Sequence, residues 1–191
     1  MAGLGGALIG ALLIAALSTF GDFVWARFIS SHRPAYGLLH GTLLCLAIGL
    51  YLGALRRHPA RGAAAGALIG LGAAGGFYLL AMAIGHAAMF VLWMALWAAF
   101  GLLSARGVGE PRATVAEALT RGALAAIGSG LAFFAISGIW TRPAPGGPNY
   151  PYHFLCWTVA FLPGFLALLV TRPRTSWGKG AGGRPPAPTS G

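Results

Sequence analysis

The chain has 191 residues, of which 57 % are hydrophobic and only 8 % charged; a soluble domain carries roughly 25 % charged residues. With a mean hydropathy of +0.74 and its apolar residues in long blocks, it cannot cover a folded surface in water. That excludes a soluble globular protein and predicts an all-α, polytopic membrane bundle. The net charge of +10 comes without any aromatic–basic soluble module, so nucleic acid is not an expected partner.

One crossing of the bilayer core needs about 20 apolar helical residues. Such segments fall at 4–25, 35–55, 63–84, 87–105, 118–140 and 153–171. The first has no charged leading segment, and its apolar run exceeds the roughly 7–15 residues of a signal peptide, so it is read as a retained helix. The second starts after Arg33-Pro34 and stops at Arg56-Arg57-His58-Pro59. Proline disfavours helix at its own position and at the residue before it, so both are sound breaks. Between Gly62 and Ser104 there is no Asp, Glu, Lys or Arg. That stretch is too long for one crossing and right for two, with the turn at Gly85-His86. After a break at Arg106 to Pro111, Thr114-Val115-Ala116-Glu117 has capping-box spacing and starts the fifth helix. Glu117 is then spaced to pair with Arg121 at i,i+4. A proline-rich run from Arg142 to Pro151 precedes the last span, in which Pro163-Gly164 predicts a kink. Residues 1–171 thus form one domain of six transmembrane helices. Residues 172–191, rich in Pro, Gly, Arg and Lys, are expected to be a disordered basic cytoplasmic tail.

Charge sets the expected orientation. Ten of the thirteen Lys and Arg residues fall on the side that holds both termini, which predicts cytoplasmic termini. Arg27 and Arg33, just after the first span, are a local signal in the opposite sense. Cys45 lies about 15 Å below the outer end of its helix and Cys156 about 5 Å, so the two are placed to pack and not to cross-link. Gly-x-x-x-Gly pairs (Gly6/Gly10, Gly37/Gly41, Gly66/Gly70, Gly72/Gly76) are near the number that random placement of 31 glycines gives. They point to close packing of the first and third helices within a bundle. The string GALIG at 6–10 and 66–70, and Arg61-Gly62-Ala63 echoed by Arg121-Gly122-Ala123, suit three stacked hairpins of common origin.

Ionisable groups inside a span are costly unless paired or near an interface, so the few present are informative. Asp22 lies near the outer end of span one. His40 is about a turn into span two from the same side, His86 marks the turn between spans three and four, and His153 opens span six. Trp25, Tyr36, Trp140, Tyr150 and Tyr152 share that level. These residues suit a pocket for a lipid headgroup or small polar ligand, a proton relay, or, through the three histidines, a haem or metal. A plain interfacial belt of aromatic and polar residues accounts for them as well. Ser129, between Gly128 and Gly130, resembles the Gly-x-Ser-Gly of rhomboid proteases. Ile127, however, stands where the first glycine belongs, and Ser129 lies about 16 Å below the rim that holds His153. No catalytic residue is therefore expected.

Ile48-Gly49-Leu50-Tyr51 before a basic loop, Ile84-Gly85-His86-Ala87-Ala88, and Ser137-Gly138-Ile139-Trp140 followed by Phe154 to Phe165 resemble segments of the Insig family of six-helix membrane proteins. That family's acidic pair has no counterpart here, where Met89 and Phe90 stand. The resemblance implies a non-enzymatic bundle that holds a lipid in a central cavity. The expected function is non-enzymatic binding of a lipid or apolar small molecule near the extracytoplasmic helix ends. Asp22, Trp25, His40, His86, Trp140 and His153 are the ligand-binding residues, with no cofactor or metal. A small transporter or proton-coupled permease is the alternative, and a haem- or metal-binding protein the second. Membrane lipid is the expected partner, with a membrane protein or a second copy compatible.

Overall fold

The computed structural model describes residues 2–28, 33–106, 114–136 and 149–170. They form six helices: α1 (Ala2–Phe28), α2 (Arg33–Ala54), α3 (Pro59–Ile84), α4 (Ala87–Arg106), α5 (Val115–Ile136) and α6 (Tyr150–Leu169). Each is long and apolar enough to cross a membrane, which makes the chain a multi-pass helical bundle. Residues 172–191, read as a disordered tail, and Trp140 lie outside the described residues.

Local chemistry sets the helix ends. Pro59 sits in the first turn of α3, and Gly85, at φ 59°, closes it by donating to the Ala81 carbonyl. A positive φ is cheap only for glycine, which is why the α3–α4 turn falls there. The capping box at α5 forms: Thr114 N–H donates to Glu117 Oε2 at 2.9 Å, and Glu117 N–H to Thr114 Oγ1 at 3.2 Å. The Glu117 carboxylate therefore turns back onto its own cap instead of forward to Arg121, as the i,i+4 spacing had suggested. Asn149 caps α6 through Tyr152 N–H, and the helix runs on through Pro163.

The helices form a ring in chain order, each beside the next, with α6 closing on α1 and α4 reaching across to α6. The tightest joint is α2–α3, and its cause is small residues every fourth position: Gly41, Cys45, Gly49 and Gly53 against Gly62, Gly66 and Gly70. A methyl on Gly49 would run into the Gly62 carbonyl, and one on Gly66 into the Cys45 carbonyl. The glycine pattern of α3 thus serves α2, whereas α1 packs between α6 and α2. This corrects the expected closeness of the first and third helices. Gly101 of α4 meets Gly122 of α5 in the same way, and Gly3 of α1 lies on the Leu169 carbonyl of α6. Side chains from two tyrosines pin α2 to α1, one near each end: Tyr51 Oη donates to Gly6 O at 2.5 Å and Tyr36 Oη to Gly21 O at 2.6 Å.

The core is aromatic and centred on α4 and α6, where Trp97, Phe100, Phe161 and Phe165 are fully buried. Gly164 lets the Trp97 ring lie on the α6 backbone. Outward, Leu13, Leu68, Leu79 and Met82 are exposed, as lipid-facing residues must be in a bundle that is apolar all round. Cys45 and Cys156 are buried free thiols.

Candidate functional site

The buried face of α1 is built from Ala7, Ala11, Ala15 and Ser18, whose small side chains let α6 come close. One turn beyond Ser18 that face delivers Asp22 to α6. His153 and Trp157 are four residues apart on α6, so both reach the same carboxylate oxygen. Trp157 Nε1 donates to Asp22 Oδ2 at 2.7 Å, and His153 Nδ1 lies 3.0 Å from it. The His153 bond needs a proton on Nδ1, either in the neutral Nδ1–H tautomer or in the imidazolium. Tyr150 packs edge-on against His153 and Phe23. The partner that an intramembrane acid demands is thus supplied by α6.

A second cluster lies across α1, on α2. His40 stacks on Tyr36 with 5.6 Å between centroids and 7° between planes, and Tyr36 is capped by Trp25 at 5.1 Å. Gly21 makes the arrangement possible, because a side chain there would collide with the His40 ring. The same residue's carbonyl accepts from Tyr36. Asp22 and Gly21 are adjacent, so the two clusters sit on either side of one turn of α1.

Beneath them is a cavity of about 260 Å³. α2 and α3 line it with His40, Gly41, Cys45, Gly70, Ala73 and Tyr78; across from these stand Trp93 of α4, Phe133 of α5 and Trp157 of α6. His40 and Trp157 bring one member of each cluster to the cavity wall. The surface is almost wholly apolar, with His40, Cys45 and Tyr78 supplying polar atoms.

Of the residues expected to bind ligand, Asp22 and His153 meet directly, and His40 lines the cavity. Trp25 caps Tyr36 at the rim and is not among the lining residues, so the tryptophan walls are Trp93 and Trp157. His86 is exposed in the α3–α4 turn, away from the others. The three histidines therefore do not converge, and among the described residues no three metal-ligating side chains cluster. Sequence reading missed Trp157, although its i,i+4 spacing from His153 was the available signal. It also missed Trp93, whose indole looks like ordinary core. Ser129 is fully buried and accepts from Trp93 Nε1 at 2.9 Å while donating to the Ala160 carbonyl at 2.5 Å. Its hydroxyl ties α4, α5 and α6 together behind the cavity.

Compared with known proteins, the chain matches no family model, no curated protein and no solved structure.

Proposed function

We propose that this chain is a non-enzymatic membrane protein that binds a lipid or apolar small molecule in the cavity among α2, α3, α4 and α6. The observation that carries the reading is the shared wall: His40 and Trp157 line an apolar cavity and each belongs to one of the two polar clusters beside it. Ligand sites are typically apolar pockets with a few placed polar groups between helices. Burying a ligand's apolar surface here gains roughly 25 cal/mol per Å². By the charge distribution, this end of the bundle faces away from the cytoplasm, with both termini inside. The resemblance of Ile48–Tyr51, Ile84–Ala88 and Ser137–Trp140 with Phe154–Phe165 to segments of the Insig family implies a bundle of this kind.

Native mass spectrometry of protein purified from membranes tests the proposal. An apolar adduct is expected on the wild type and weakened by His40→Ala and Asp22→Ala, the latter through release of Trp157. A wild type that carries no adduct, or an adduct indifferent to both substitutions, refutes it.

A further inference from the structure

The chemistry of the cavity walls narrows the ligand class. Three rings stand on the α4–α6 side. Trp93 and Phe133 are 4.4 Å apart between centroids with 12° between planes, and Phe133 and Trp157 are 6.0 Å apart with 27°. Trp93 and Trp157 are themselves 6.0 Å apart, so the three make a compact triangular cluster of rings, a surface on which a further flat ring can pack. On the α2–α3 side Phe77 and Tyr78 add two more rings, with Leu44 and the small residues Gly41, Gly70, Ala73 and Ala74 between them and His40. Gly41 and Gly70 draw the two helices together there, and the Tyr78 hydroxyl lies over Gly37. Aromatic rings thus stand on both sides of the space.

Polar chemistry in the space is restricted. His40 is held by its stack on Tyr36, and among the described residues neither of its ring nitrogens has a hydrogen-bond partner. A neutral imidazole offers one donor and one acceptor, so it meets either a carbonyl or a hydroxyl. At about 260 Å³ the space takes a one- or two-ring body and not a whole phospholipid.

Resting on the reading that the cavity holds an apolar molecule, we propose that its occupant is a flat ring bearing a hydrogen-bonding oxygen, a quinone or a phenol. The ring packs on the Trp93–Phe133–Trp157 cluster, and its oxygen bonds to His40. A straight acyl chain makes no ring–ring contact with these walls and, without an oxygen at that depth, leaves His40 unpartnered.

Equilibrium dialysis of the protein in quinone-free nanodiscs, corrected with empty nanodiscs, compares menadione with decanol, an open chain that also carries one oxygen. Menadione is expected to bind about tenfold tighter. His40→Phe keeps a ring between Tyr36 and Gly21 but has no nitrogen, and it should weaken menadione about tenfold. Trp157→Leu should bring menadione down to the level of decanol. Circular dichroism of both variants confirms that they are folded. Decanol binding as tightly as menadione overturns the ring proposal and leaves apolar binding standing. Neither probe binding above empty nanodiscs removes both. Menadione binding that ignores both substitutions places it elsewhere and also overturns the ring proposal.

Discussion

The bond between Asp22 and Trp157 is the joint that connects the polar rim to the cavity, and its strength is measurable. Asp22→Ala removes the acceptor of two bonds, from Trp157 Nε1 at 2.7 Å and His153 Nδ1 at 3.0 Å. A hydrogen bond to a charged group contributes about 1.5–3 kcal/mol, and an abandoned buried donor costs about 1–3 kcal/mol. The side chains of His153 and Asp22 are 17 % and 23 % exposed, so interfacial water replaces much of what the histidine loses. Removing the carboxylate also relieves the cost of holding a charge near the membrane, which offsets part of the loss. A single variant therefore mixes three effects. The double-mutant cycle of Asp22→Ala with Trp157→Phe isolates the bond. We expect a coupling of about 1–2 kcal/mol from unfolding equilibria in mixed micelles, the charged bond discounted for rim exposure. The same cycle with His40→Phe should give a clearly smaller coupling, because His40 and Asp22 share no bond. A Trp157 coupling below about 0.3 kcal/mol, within the error of additivity, would refute the geometry.

Other predictions follow from packing. Gly49→Ala, with the Gly62 carbonyl in its way, should destabilise the bundle by about 1–3 kcal/mol, whereas Gly72→Ala, which meets nothing within 4 Å, should stabilise it by up to about 1 kcal/mol; thermal unfolding in detergent compares them. Ser129→Ala strands Trp93 Nε1 and should cost about 1–3 kcal/mol, while Ser18→Ala removes a buried hydroxyl that has no hydrogen-bond partner among the described residues and should be neutral or mildly stabilising. Thr114→Ala should cost about 1 kcal/mol at the start of α5, read as faster amide exchange in its first turn. Labelling of a cysteine placed at position 146 should succeed from outside the cell; protection there would contradict the orientation proposed from the charge distribution.

The sequence announced the class of fold because a bilayer imposes length and hydrophobicity on each helix separately. Boundaries followed from the same local chemistry, as with Pro59, Gly85 and the Thr114–Glu117 box. Packing was less legible. Glycines at fourfold spacing occur in α1, α2 and α3, and nothing local says that α3 spends them on α2. The site divides in the same way. Asp22 stood out because an acid is rare and expensive in an apolar span. Its need for a partner was readable, but which histidine would reach it depended on α6 lying against α1. His40, a turn deep on the neighbouring helix, turned instead to Tyr36 and the cavity. His86 shares the same level by hydropathy yet faces outward, since depth along a helix says nothing about azimuth. Trp93 and Phe133 were invisible as wall residues because a cavity is a property of several helices together.

The central claim is that the space among α2, α3, α4 and α6 is occupied by an apolar molecule. Filling it tests this most directly. Ala73 lines the cavity and is replaceable by Phe, whose ring would take the ligand's place without adding a polar group. Native mass spectrometry of wild type and Ala73→Phe, purified side by side, should show an apolar adduct on the first and its loss from the second. An equal adduct on both, or none on either, would contradict the account.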